Sequence, residues 1–350
     1  MSFPNRQSDK IQIREAVEKD NPAISEIFES GSFPGGIEVK FLRSPNPLQS
    51  FQKDGDLAKV IVMEDMESHR VFAVGGCVIR NEFVNGGILR VGYLTGLKIH
   101  SDYQKKVLCI SNAYIYLREL TAPYTDIYYT TILSENTSAR RLLEKKRRSM
   151  PNYRYQGDYT TYCIKAGERS EVALVKLSKE ELTDYYEQLN RKQNFAPVSP
   201  FEYGVDVQDY FALKKSGQVV ACCGMMDQQV YKQYKIISYS RVYRFLSKLP
   251  TSLLGYPPFP KVGKDINYGS IFLFSVKEND IKLGKEFLKA VASYSVQFDI
   301  LLLGFHQSNP LQEIFQNYKH IKYSSRVYTV EFGEGFSLNQ SPIGLEVSIL

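Results

Sequence analysis

The chain has 350 residues, too many for a disulfide-stapled mini-protein and enough for about two domains at ~150 residues each. Its 44 Lys and Arg against 38 Asp and Glu leave a net charge of +6. That excess admits an anionic ligand but is too mild for a dedicated nucleic-acid stripe, and a composition 43% hydrophobic and 23% charged excludes wholesale disorder.

The first strand is expected at 11–14, followed by a helix that Asn21-Pro22 opens and that runs to Phe28. Pro34-Gly35-Gly36, Pro45 and Pro47 mark a long loop. Segments 59–63 and 71–79 read as a hairpin around the polar turn Glu67-Ser68-His69. A strand at 88–99 leads into a helix at 107–120, where Val107, Ile110, Ser111, Tyr114 and Leu117 recur at helical spacing. Strand 127–133, a strongly charged helix at 138–148 and a closing strand at 159–164 complete the first half.

The second half rhymes with the first. Asp126-Ile127 followed by Asn136 recurs as Asp299-Ile300 followed by Asn309, at one constant offset in residue number. Upstream, VFAVGGCV (71–78) resembles VVACCGMM (219–226), and a strand at 271–276 with a helix at 281–295 repeats the strand–helix unit. One repeat of about half the chain implies duplicated domains rather than a solenoid. The expected division is 8–166, 170–332 and a C-terminal tail at 333–350, with 165–170 as linker and a proline-rich insertion at 249–265.

Five cysteines (Cys77, Cys109, Cys163, Cys222, Cys223) and four histidines are scattered without a metal-ligand spacing, so neither a disulfide framework nor a metal is expected. Cys222-Cys223, within an apolar strand, are expected to be core residues. No apolar run approaches the ~18–20 residues that span a bilayer, and no signal-peptide pattern is seen. A reducing cytoplasm and no membrane partner are therefore expected.

The richest stretch runs from Tyr93 through Leu97-Lys98-Ile99 and Gln104-Lys105-Lys106, a strand entering a helix. The first turn of that helix could hold a phosphate on its free N–H groups. Downstream, Thr131-Ile132-Leu133 meets a helix with Asn136 and Ser138 as candidate caps. The order of these motifs resembles the GNAT N-acyltransferase superfamily, and in particular a branch of tandem GNAT proteins. Leu97-Lys98-Ile99 matches its strand, Gln104 its phosphate loop, and Asn136, Ala139 and Leu142 its Asn-x-x-Ala-x-x-Leu motif.

The resemblance implies an α+β fold of two tandem GNAT-like domains, each a mixed twisted sheet flanked by helices, the second degenerate. It implies acetyl-CoA, or another acyl-CoA, between strands 93–99 and 127–133. Backbone at Leu97, Lys98 and Ile99 would bond the pantetheine arm, and N–H groups of Gln104, Lys105, Lys106, Val107 and Leu108 would cradle the pyrophosphate. Asn136, with Ala139 beside it, would hold the arm near the thiol. Lys105, Val107 and Cys109 stand where the family usually has glycine, and Leu143 stands where it often has a proton-donating Tyr.

Direct transfer to a small amine needs a group to manage the amine's proton. Tyr93 is the candidate on the strand, with Glu64 or Asp65 on its neighbour. In the second half, acidic Lys277-Glu278-Asn279-Asp280 falls where phosphate would sit and only Gly284 survives. That half is expected to shape the cleft or a homodimer instead of binding CoA. A non-catalytic CoA-binding or scaffold protein is one alternative. The resemblance to tandem GNAT proteins implies another, an aminoacyl-tRNA-dependent transferase, which the basic run Arg140, Arg141, Lys145, Lys146, Arg147 and Arg148 supports and the modest net charge argues against.

Overall fold

The central strands read as nearly unbroken apolar runs because they are covered on both faces. In the computed structural model, which describes residues 6–8, 10–103, 110–145, 150–333 and 335–350, the first half contains β1 (Arg6–Ser8), β2 (Ile11–Glu15), α1 (Asn21–Glu29), β3 (Ile37–Leu42), α2 (Pro47–Gln52), β4 (Leu57–Asp65), β5 (Arg70–Val84) and β6 (Gly87–Ile99). It continues with α3 (Ile110–Thr121), β7 (Ile127–Leu133), α4 (Thr137–Leu143) and β8 (Asn152–Lys165). The second half contains α5 (Lys179–Asn190), β9 (Ala196–Pro197), β10 (Tyr210–Lys215), β11 (Gln218–Met226), β12 (Gln233–Tyr239), α6 (Arg241–Leu246), β13 (Tyr268–Val276), α7 (Ile281–Tyr294), β14 (Ile300–His306) and β15 (Ile321–Glu331).

The repeat read from the sequence is structural. Strands β7 and β14 have the same length and begin at the matching residues Ile127 and Ile300. Asn136 caps the turn after β7, and Asn309 caps the turn after β14. Three expectations change. The helix expected at 138–148 occupies 137–143, and the strand expected at 159–164 extends over 152–165. The long proline-marked loop contains β3 and α2; β3 was illegible because its partner, β12, lies in the other half of the chain, with Ile37 opposite Tyr239.

Thirteen strands form one mixed sheet, ordered β1-β2-β4-β5-β6-β7-β15-β8-β14-β13-β11-β10, with β9 on β5. The last strands are exchanged between the halves. β15 pairs with β7 of the first half, while β8 pairs with β14 of the second, and β15 and β8 pair with each other in the middle.

On one face, Ala113, Leu117 and Leu120 of α3 pack against Ile61, Phe72 and Leu94, and Phe287, Leu288 and Val291 of α7 pack against Ile271 and Leu301. Each such large side chain contributes roughly 1.5–3 kcal/mol on burial, so tertiary packing rather than propensity holds these helices. On the other face lie α1 and α5. Between them the tail inserts Ile343, Leu345 and Val347 against Tyr93, Tyr129, Tyr268 and Leu302, sealing the junction of the halves. Cys222 and Cys223 are fully buried core residues.

Because each half's last strand completes the other half's sheet, residues 1–168 expressed alone should fail to fold. Co-expression with residues 169–350 should recover a soluble complex. Circular dichroism and gel filtration check both outcomes, and a cooperative melt of the isolated first fragment would contradict this account.

Candidate active site

Strands β6 and β7 are parallel neighbours over only three pairs, from Val91 opposite Ile127 to Tyr93 opposite Tyr129. Beyond that point they part. β6 keeps β5 on its outer side and β7 keeps β15. The turn-out begins at a bulge, where Gly96 and Leu97 together face only Gly75 between the Thr95–Gly76 and Lys98–Val74 pairs. Gly96 has φ +69°, and a Cβ there would lie 2.6 Å from the Phe51 ring, so glycine is required twice over. At the apex Thr130 Oγ1 donates to the Leu94 carbonyl at 2.7 Å. Below it the facing edges, 95–99 and 130–133, form no ladder with each other. An extended ligand carrying amides could continue both edges.

Of the expected binding residues, Leu97, Lys98, Ile99, Asn136 and Ala139 are among the described residues. Leu97, Lys98 and Ile99 form the β6 edge of the opening, and Leu97 is exposed. Asn136 stands just beyond the end of β7, where its side-chain oxygen accepts the Ala139 N–H at 3.1 Å. That oxygen is engaged in the cap, so the side-chain NH2 is the group left to reach a ligand. Gln104, Lys105, Lys106, Val107, Leu108 and Cys109 lie outside the described residues, as do Lys146, Arg147 and Arg148. Arg140 is drawn into an ion pair with Glu144 at 3.2 Å.

Tyr93 is buried on the face covered by the tail. Its hydroxyl shares a 3.0 Å hydrogen bond with Thr131 Oγ1 on the β7 edge, and its ring lies 5.1 Å from that of Tyr129. Burial raises its pKa, so its hydroxyl stays protonated and suits a proton donor rather than a base. Glu64 is not brought to the opening. It lies on β4, separated from β6 by β5, and its carboxylate takes Arg14 Nε at 3.0 Å and Nη2 at 2.9 Å. Asp65 accepts the Glu67 N–H at 3.0 Å in the turn after β4.

Two features escaped the sequence. Beneath Tyr93, Arg80 donates from Nε to Glu82 at 2.9 Å and also bonds the Tyr129 hydroxyl, which donates to Glu82 at 3.0 Å. Arg80 Nη1 reaches the Ile349 carbonyl of the tail at 3.3 Å. The only signal was a charged pair inside an otherwise apolar strand. The second is the α1–β3 loop, which crosses the opening. Lys98 Nζ donates to the carbonyls of Phe28 at 2.6 Å and Gly31 at 2.8 Å. At the far side, a Cβ on Gly35 would overlap the Glu135 carboxylate. Burial brings Lys98 down to about 8.

The second half carries the same device, closed. β13 and β14 are parallel from Tyr268 opposite Ile300 to Ser270 opposite Leu302, then part. Leu273 and Phe274 form the matching bulge, with Leu273 at φ +50°. Here the Leu273 N–H donates to Glu346 of the tail at 3.0 Å, and the Leu273 carbonyl accepts from the Tyr186 hydroxyl at 2.8 Å. Asp280 accepts the Lys282 and Leu283 N–H groups at 2.8 and 3.0 Å, occupying the helix terminus where a phosphate would bind. Gly284 serves packing, since a Cβ there would lie 2.6 Å from Ile314 Cδ1.

No family model matches the chain, and no curated protein matches it in sequence. Solved structures do. Saccharomyces cerevisiae N-myristoyltransferase with bound myristoyl-CoA superposes at TM-score 0.60 and 10% identity, over 94% of this chain and 85% of that one. A GCN5-related N-acetyltransferase from Sphaerobacter thermophilus superposes at TM-score 0.59 and 12% identity, over 95% and 99%. A GCN5-related N-acetyltransferase from Anabaena variabilis follows at 0.51 and 10%, over 91% and 72%. At these identities the likeness is one of fold, and the chain has the tandem GNAT fold that the motif order implied. Among the described residues no cluster of His, Cys, Asp and Glu could hold a metal ion. No described helix is long and apolar enough to cross a membrane.

Two outcomes follow from the site. Lys98→Met should leave the global melt nearly unchanged and speed hydrogen exchange in 31–36 several-fold, because the loop loses its tether. Glu346 is held protonated by burial up to about 8, against an ordinary 4.5. In the unfolded chain it ionises above 4.5, so the fold loses stability as pH rises from about 4.5 to 8. Glu346→Gln keeps an acceptor for Leu273 and removes this loss. Denaturant melts should therefore show the variant gaining on the wild type across that window, and parallel profiles would contradict it.

Proposed function

We propose that the protein is an acyl-CoA-dependent N-acyltransferase that moves an acetyl group directly onto a small amine in the reducing cytoplasm. The observation that carries this reading is the β6–β7 opening. It presents two free backbone edges, a bulge and a terminal Asn136, while its counterpart in the second half is filled by the chain's own carboxyl groups. In this reading residues 8–166 bind the co-substrate, and 170–332 with the tail shape the acceptor side. The four described cysteines are unpaired, in keeping with a reducing compartment.

Acyl-CoA would supply the activated acyl group. Backbone at Leu97, Lys98 and Ile99 would hold its arm, and a bulge N–H would face the carbonyl oxygen on which negative charge develops. The Asn136 side-chain NH2 would reach the arm near the thiol. Tyr93, kept neutral by burial and aligned by Thr131, would hold a proton for the departing sulfur. Gln104–Leu108 retain the phosphate role that the resemblance implies.

The test is calorimetric titration with acetyl-CoA and myristoyl-CoA, followed by thiol-release assays over an amine panel. Asn136→Asp keeps a good helix cap but replaces the amide donor with a carboxylate. It should melt like the wild type and bind acetyl-CoA at least tenfold more weakly, a loss of about 1.4 kcal/mol. Tyr93→Phe should bind normally and lower kcat by about 10²-fold. Acetyl-CoA binding without thiol release across the panel would leave a CoA-binding module. Absence of binding to either thioester would reject the reading.

A further inference from the structure

Among the described residues one surface stands out, the segment that follows β12. From Gln228 to Lys264 there is no Asp or Glu, while Arg241, Arg244, Lys248, Lys261 and Lys264 all face solvent. Among the described residues none of these five cations has an ion-pair partner. Interleaved with them are large apolar side chains, Val242 68%, Phe245 64%, Leu253 83% and Leu254 69% exposed, with Leu249 and Val262 also outward. Val242, Phe245 and Leu249 follow at i, i+3 and i+7. The helical turns continue past α6 through Ser247 N–H to Tyr243 at 2.8 Å and Leu249 N–H to Leu246 at 3.0 Å, so these three share one side.

Isolated exposed apolar residues need no explanation, but several together among unpaired cations do. We infer that this segment, 241–264, docks the protein on an anionic lipid surface, with the aliphatic side chains entering the headgroup boundary and the cations meeting lipid phosphates and carboxylates. The composition selects this occupant. A nucleic acid would use the cations with aromatic stacking platforms, yet Tyr243, Tyr256 and Phe259 are only partly exposed and already packed against Phe259, Lys319 and Tyr239, and of the outward apolar side chains only Phe245 is aromatic. A bilayer uses bulky aliphatics and cations together. Spanning is not required, so the expectation of no membrane partner, drawn from the lack of an apolar run, does not bear on it.

The placement gives the docking a consequence. Ser240 N–H donates to the Gly36 carbonyl at 2.9 Å, and the Tyr243 ring occupies the space left by the missing Cβ of Gly36. Gly36 belongs to the loop that Lys98 tethers on one side of the β6–β7 opening and that comes close to Glu135 on the other. Docking would therefore set the mouth of that opening against the lipid surface. The docking itself does not depend on the proposed chemistry, which concerns the interior of the opening.

Full-length protein should co-sediment with vesicles containing about 30% phosphatidylserine and not with pure phosphatidylcholine, more weakly at about 0.5 M than at 0.1 M salt. Arg244→Ala and Lys248→Ala should each weaken partitioning about fivefold. The Leu253→Asp/Leu254→Asp double variant should abolish it with an unchanged melting curve, since both side chains are solvent-exposed. If that variant does not fold, the Arg241→Ala/Arg244→Ala/Lys248→Ala triple variant supplies the same readout. Absence of sedimentation with the anionic vesicles would overturn the inference. So would sedimentation that these variants leave intact, or a homodimer that dissociates on Leu253→Asp/Leu254→Asp.

Discussion

Two neighbouring strands can separate inside a protein only if each keeps a full ladder on its other side. In this chain the parting of β6 from β7 rests on that condition. β6 keeps β5, joined to it through a local hairpin. β7 keeps β15, a strand that arrives only at the end of the second half. Without β15, the β7 edge would have neither neighbour beyond Tyr129, and the opening would collapse or fray. The exchange is reciprocal, since β8 gives β14 its neighbour. The second half is thus structurally indispensable to the opening in the first.

The two copies also show how an open crotch can be made safe. An unpaired buried N–H costs on the order of 1–3 kcal/mol, and the first turn of a helix leaves orphan donors besides. In the second half Glu346 takes the bulge N–H and Asp280 takes the helix terminus, so a carboxyl group of the chain's own stands at each position where a ligand's acceptor would. In the first half the chain supplies Thr130 at the apex and a tethered loop over the mouth, and leaves the edges between them unladdered. The two copies of the device thus differ in that one has its bulge N–H and helix terminus satisfied by the chain and the other leaves its facing edges unpaired.

Much of this was readable because it is local. The constant offset between the halves, the Asn136 cap and the acidic run at Lys277–Asp280 are each carried by a few adjacent residues, and periodicity marked the main strands and helices. What escaped is carried by contacts that no short window contains. β3 pairs with β12, and the Arg80–Glu82–Tyr129 group assembles from two strands and the tail. Lys98 could be placed on the correct strand, but its side chain's grip on Phe28 and Gly31 depends on a loop that precedes β3, β4 and β5 in the chain. Glu64 illustrates the opposite error. A place on the neighbouring strand made it a candidate acid, whereas β5 separates it from β6 and Arg14 holds its carboxylate.

The electrostatic character of the opening can be read from two groups of opposite type. Burial pushes the Tyr93 hydroxyl up and brings the Lys98 amine down from 10.5 to about 8. Both shifts have the same physical origin, the penalty on the charged form in a poorly solvated place. Under the proposed chemistry, an acceptor amine that enters the same region meets the same penalty. A fall like that of Lys98 raises the neutral fraction at pH 7 by about two orders of magnitude. Part of the deprotonation that a carboxylate base would otherwise perform is then supplied by the setting. Under the proposed chemistry this would lessen the need for an acidic residue on β6, which carries none between Gly87 and Ile99, and would direct attention to the groups that screen the opening from solvent: the loop, Lys98 and the tail.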